Sequence, residues 1–184
     1  MSLTESNMLK LGIQAPDFNL PNVVNGNLVS LSAMNNYQAY VIFFICNHCP
    51  YVIHINPELI ELCKEYLKKN VCFIGISSND ILKYPQDGPE KMKEHAIRIG
   101  YPFPYLYDET QEVAKAYDAA CTPDFYIFDN NKILAYRGRL DASRPNSGTP
   151  VTGEDLRNAL DAVLANQPVD SIQYPSMGCN IKWK

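Results

Sequence analysis

The 184-residue sequence contains no run of lysine or arginine, and its formal net charge is −4. A phosphate backbone would find no basic footprint on it, so nucleic acid is not an expected partner. No apolar stretch approaches the roughly 20 residues that a membrane-spanning helix needs. The start, MSLTESNMLKLGIQAPDF, places no apolar segment after a basic one, so a soluble, cytoplasmic protein is expected. Repeats, low-complexity tracts and linker-like shifts in composition are also missing. One domain spanning 1–184 is then the simplest partition. Absent too are a second Cys-x-x-C and any His-x-x-x-His, either of which would complete a common zinc half-site. What is present is ordinary globular material, 46% hydrophobic and 20% charged, with six cysteines. In a reducing compartment such cysteines serve as thiols, ligands or a transient catalytic disulfide more readily than as a permanent framework.

Apolar patterning gives the elements. Residues 15–35 read as an N-terminal hairpin around Asn25-Gly26, a pair suited to positive φ. Ala39 to Ile45 is a continuous apolar run, as in a strand covered on both faces. Leu59, Leu62, Cys63, Tyr66 and Leu67 recur at helical spacing from Pro57 onward, with Pro50 a candidate cap for the helix start. Val71 to Ser77 is again apolar, so strand, helix and strand follow in order as a βαβ unit. A helix is predicted over 89–99, with Pro89 in its first turn and Gly100 at its end, then a short strand at 105–107 and a helix over 109–117. Asp124 to Phe128 and Ile133 to Tyr136 form a second hairpin, and Thr152 opens a helix carrying Leu156, Leu160, Val163 and Leu164. The tail from 166 to 184 shows no clear element. The expected fold class is α/β, a mixed sheet that is parallel first and antiparallel late, with helices on its faces.

The chemistry concentrates in FFICNHCP, residues 43–50. Cys46 is expected where a strand hands over to a helix, so that unpaired helical N–H groups stabilise its thiolate, the attacking species in disulfide exchange. His48 adds positive charge that lowers the thiol pKa further and moves the couple toward the oxidising side. Cys49, three residues on, is placed to attack a mixed disulfide on Cys46 and release the partner.

Far along the chain, Cys121-Thr122-Pro123 precedes the strand DFYIF, and X-Pro is the one bond that readily goes cis. Cys-x-x-C after a first core strand, with Thr-Pro opening a late hairpin, resembles the thioredoxin fold. APDFNL followed by NGNLVSLS resembles its redoxin branch, the alkyl hydroperoxide reductase and thiol-specific antioxidant group, over about residues 12–165. The resemblance implies a thioredoxin-like sandwich with an N-terminal hairpin extension, Cys46 attacking and Cys49 resolving. It further implies that Thr122 and a cis Pro123 face the pair, the Thr122 backbone pairing with an incoming extended peptide or peptide-like disulfide. The implied activity is thiol–disulfide oxidoreduction in cell redox homeostasis, with disulfide or thiol partners, no cofactor and no metal.

Two rival functions share the same residues. A two-cysteine thiol peroxidase would use peroxide, but the peroxiredoxin pattern carries threonine or serine where Phe43 stands here, three residues before Cys46. A metal-binding chaperone would need ligands from the scattered Cys121, Cys179, His54 and His95. His95, in a polar helix, reads as solvated. Cys63 and Cys72 read as core. Cys121 is open between a redox role and packing, and Cys179, in PSMGCNIKWK, between a third thiol and an anchor for the terminus. In thioredoxins an acid lies six residues before the first cysteine; Tyr40 stands there, which leaves the proton acceptor for Cys49 unassigned.

Overall fold

The computed structural model describes residues 3–184. Its centre is a five-stranded sheet whose middle strand, β4, is the apolar run, here Ala39–Phe44; Ile45 already lies beyond it. The numbering follows the chain, with β1 (Leu3–Glu5) and the hairpin β2 (Asn19–Pro21) and β3 (Leu28–Ser30) coming first. From β4 the helix α1 (Pro50–Leu67) crosses over to β5 (Val71–Ser77), which lies parallel to β4. Helix α2 (Pro89–Ile99) leads to β6 (Tyr105–Tyr107), parallel to β5. After α3 (Glu112–Ala116) and the two-residue β7 (Cys121–Thr122), strands β8 (Asp124–Asp129) and β9 (Leu134–Gly138) add antiparallel, giving the order β6-β5-β4-β8-β9. Helix α4 (Glu154–Leu164) and a last strand, β10 (Met177–Asn180), complete the chain.

Both faces of the sheet are covered, so β4 is apolar throughout. Its odd-numbered side chains, Val41 and Phe43, join a core with Leu59 and Leu62 of α1, Met92 of α2 and Leu156 of α4. Its even-numbered ones, Tyr40, Ile42 and Phe44, pack on the other face with Phe18, Leu31, Ala114 and Tyr117. Burying each such side chain contributes about 1.5–3 kcal/mol, and the layers fix the direction in which β4 points the residues that follow it. Cys63 and Cys72 are buried in these cores, and burial pushes both thiols up, Cys72 to about 12.

The structure departs from the sequence expectations at several places, each with a local cause. Helix α3 starts at Glu112 rather than at 109 because Gln111 takes a left-handed φ of 65°. Helix α4 starts after Gly153, since the N–H groups of Thr152 and Gly153 donate instead to the Asp141 carboxylate at 2.7 Å each. His95 is buried on α2 instead of solvated, and burial followed by the neighbouring Arg98 lowers its pKa. The tail is ordered: β10 pairs antiparallel with both β1 and β7 in a small separate sheet.

Candidate active site

Helix α1 begins at Pro50, so Cys49 is its N-cap residue and Cys46 lies three residues before it, in the turn that leaves β4. Of the helix's first N–H groups, that of Val52 acts on Cys49 rather than on Cys46, where the sequence suggests the effect. A hydrogen bond from Cys46 draws the Cys49 pKa down to about 5 against the opposing effect of burial. The Cys179 thiol, the Val52 N–H and the Thr122 hydroxyl assist. The same bond to Cys49 holds Cys46 well above its ordinary value, together with burial and the nearby Asp87 carboxylate. The two thiols therefore titrate as a pair, with Cys49 the more acidic of the two.

Against this pair stands the loop before β8, with a cis Thr122–Pro123 peptide bond. The Thr122 hydroxyl is 3.5 Å from Cys46 Sγ, and the fully protonated Cys49 donates to the Thr122 carbonyl at 3.2 Å. Thr122 thus meets both thiols, one through its hydroxyl and one through its carbonyl. The backbone edge of Thr122, however, is not open to an incoming strand as the resemblance implies. It is taken by β10, with Cys179 opposite Thr122 and Asn180 opposite Cys121. A Cβ at Gly178 would run into the Thr122 carbonyl, which is why glycine stands there. Cys121 turns the other way, its thiol donating to the Pro123 carbonyl at 3.6 Å.

His48 does not act as a lone positive charge. Its Nδ1 lies 2.7 Å from Oδ2 of Asp87, a fully buried carboxylate, and its ring stacks on Tyr84 with centroids 5.7 Å apart. Oδ1 of Asp87 accepts the Asn47 backbone N–H at 2.9 Å, and Oδ2 accepts from Asn79 at 2.8 Å. This carboxylate therefore pins the Cys-x-x-C loop to the short turn Pro85–Asp87. Its negative charge also opposes ionisation of Cys46.

A family model described as the AhpC/TSA family matches residues 11–137 of the chain. The chain belongs to the AhpC/TSA family. Among solved structures, it is 60% identical to an uncharacterized conserved protein from Geobacillus kaustophilus, covering 100% of this chain and 97% of that one at a TM-score of 0.98. A hypothetical protein from Sinorhizobium meliloti is 44% identical, with 98% of each chain covered and a TM-score of 0.96. A thiol:disulfide interchange protein of the thioredoxin family from Chlorobium tepidum is 17% identical. The match covers 84% of this chain and 98% of that one at a TM-score of 0.64, a likeness of fold. No curated protein matches the chain.

This AhpC/TSA member carries site residues that no local sequence pattern singles out. Asp87 lies in the polar loop SSNDILKYPQDG, 40 positions from the backbone N–H it accepts. Among the described residues, it forms with Cys46 and His48 a set of possible metal-ligand atoms within 4.8 Å of one another. The scattered set of Cys121, Cys179, His54 and His95 does not converge; His54 instead contacts the Ser143 hydroxyl at 3.2 Å. Asp124, directly after the cis proline, is fully buried. Burial raises its pKa well above the usual value, although Tyr126 donates to Oδ2 at 3.0 Å. A lone acid at a strand start gives no signal of such an environment.

Proposed function

We propose that the protein is a thiol–disulfide oxidoreductase whose working couple is Cys46 and Cys49. The observation that carries this reading is the placement of the pair: Cys49 caps the start of α1, Cys46 lies three residues before it, and the Thr122 hydroxyl and carbonyl stand 3.5 Å from the Cys46 sulfur and 3.2 Å from the Cys49 sulfur. In the first step Cys46 passes its proton across the hydrogen bond to Cys49 and attacks one sulfur of a substrate disulfide. The other substrate sulfur leaves as a thiolate. That thiolate takes the proton from Cys49, which then attacks Cys46 and expels the second substrate sulfur. The substrate disulfide gains two electrons and the protein dithiol loses two. The cycle uses no cofactor, and its partners are disulfides or thiols of small molecules or proteins.

Peroxide is the competing substrate for the same pair, through a sulfenic acid on Cys46 that Cys49 condenses. Phe43 is in the core against Phe103 and Phe125, so no side-chain hydroxyl reaches Cys46 from that position; Thr122 supplies the one beside the sulfur. Stopped-flow comparison of the reduced protein with hydrogen peroxide and with a small disulfide separates the two, with Cys49→Ser as the control. Fast exchange beside slow peroxide consumption supports the oxidoreductase, and rapid peroxide consumption with sulfenate trapped on Cys46 overturns it. The convergence of Cys46, His48 and Asp87 favours a second reading, metal binding, because thiolate, imidazole and carboxylate are all ligand types of zinc. Metal analysis of protein purified without added metal tests it.

A further inference from the structure

The ordered tail brings a third sulfur to the pair. Strand β10 is held on both sides, with Cys179 opposite Leu3 of β1 and opposite Thr122 of β7. Backbone bonds extend the attachment: Ile181 N–H donates to the Ala120 carbonyl at 3.0 Å, and Asp80 N–H donates to the Lys182 carbonyl at 2.7 Å. Side chains contribute as well, since Lys182 N–H donates to Asn79 Oδ1 at 2.8 Å and Ser176 Oγ donates to the Gly138 carbonyl at 2.6 Å. These contacts anchor the strand through groups other than the cysteine. The Cys179 side chain is buried in the same core as Cys46 and Cys49, and it hydrogen-bonds Cys49. Cys179 is thus paired with Thr122, the residue whose carbonyl lies 3.2 Å from the Cys49 sulfur.

We propose that Cys179 is the third member of a thiol relay, attacking Cys49 of an oxidised Cys46–Cys49 pair to form a Cys49–Cys179 disulfide and release Cys46. The proposal rests on the Cys46–Cys49 couple put forward above. The Cys49–Cys179 bond forms as the Cys46–Cys49 bond breaks, and the proton from Cys179 passes to the departing Cys46 sulfur. No electrons enter or leave, so the step needs no further oxidant. Its result is a protein that keeps its oxidising equivalents on the tail while Cys46 returns to the thiol form. The disulfide also ties β10 covalently to the start of α1, beside the Thr122 edge.

The test is disulfide mapping by mass spectrometry after oxidation with glutathione disulfide, acid quench and alkylation of the remaining thiols. Cys46→Ser is expected to lose the alkylation signals of both Cys49 and Cys179 and to yield their linked peptide. Wild type is expected to yield Cys46–Cys49 and Cys49–Cys179 peptides together. If Cys46→Ser ends with glutathione on Cys49 and an alkylated Cys179, while wild type contains only Cys46–Cys49, the relay is wrong and the couple stands. If wild type forms no Cys46–Cys49 bond, the couple itself is wrong and the relay falls with it. The wild-type mapping decides the question even if Cys46→Ser fails to fold.

Discussion

Asp87 and His48 meet at 2.7 Å, and the same carboxylate accepts the N–H of Asn47, the residue between His48 and Cys46. Asp87 thus sets both the shape of the Cys-x-x-C loop and the acidity of its first thiol. Asp87→Asn removes the charge that opposes ionisation of Cys46, so its pKa falls. At fixed pH, alkylation of Cys46 by iodoacetamide then rises, since each tenfold gain in acidity raises the thiolate fraction by up to about tenfold. The variant also turns an amide N–H₂ toward Asn79 or Asn47, which costs about 1–3 kcal/mol of stability. An unchanged alkylation rate would contradict the electrostatic role of Asp87.

Cys49 titrates near 5 in the folded protein, against a usual value of 9.0. Between those values the unfolded chain holds a proton that the folded one has lost, so stability rises with pH. The contribution is complete above the unfolded value and disappears as pH falls through about 5. Chemical denaturation of the reduced protein should therefore show stability falling from about pH 8.5 toward 5, at up to about 1.4 kcal/mol per pH unit. Cys49→Ser should flatten that dependence; parallel profiles for the two proteins would contradict the assignment of the charge to Cys49.

Asp124 gives the opposite sign. Its folded pKa is raised above the usual 3.8, first by burial, so it stabilises fully below that value and loses its contribution as pH rises toward the folded pKa. Asp124→Asn cannot ionise, so its stability relative to wild type should increase as pH rises from about 4 to 7. The difference in Tm between the two proteins across that range checks this, and a difference that moves in favour of wild type as pH rises would contradict it.

Gly178 lets β10 lie against the Thr122 carbonyl. Gly178→Ala forces the strands apart, with a cost of about 1–3 kcal/mol typical of overpacking. The amides of residues 179–181 should then exchange hydrogen faster, and aromatic disulfide reagents should reach Cys46 and Cys49 sooner. Unchanged exchange would mean that β10 does not guard this edge.

How much of this was legible in the sequence depended on how local the cause was. Strands β4 and β5 announced themselves as continuous apolar runs because both of their faces are covered. The first hairpin was marked by Asn25-Gly26, where Gly26 takes a φ of 76°. Strand β10 was invisible because the alternation in MGCN spans only four residues; it is a strand because β1 and β7 flank it. Cys46 and Cys49 could be singled out by spacing, but their order of acidity could not. That order depends on where α1 begins and on Asp87 and Cys179, which the folded chain brings in from distant positions.

The most direct measurement is a redox titration in thiol–disulfide buffers, with acid quenching, thiol counting and mapping of the bond formed. The account predicts a single two-electron couple that removes two thiols, places Cys49 in the disulfide, and vanishes in Cys49→Ser. A protein that keeps every thiol across the accessible range of potentials, or an oxidation that persists in Cys49→Ser, would contradict it.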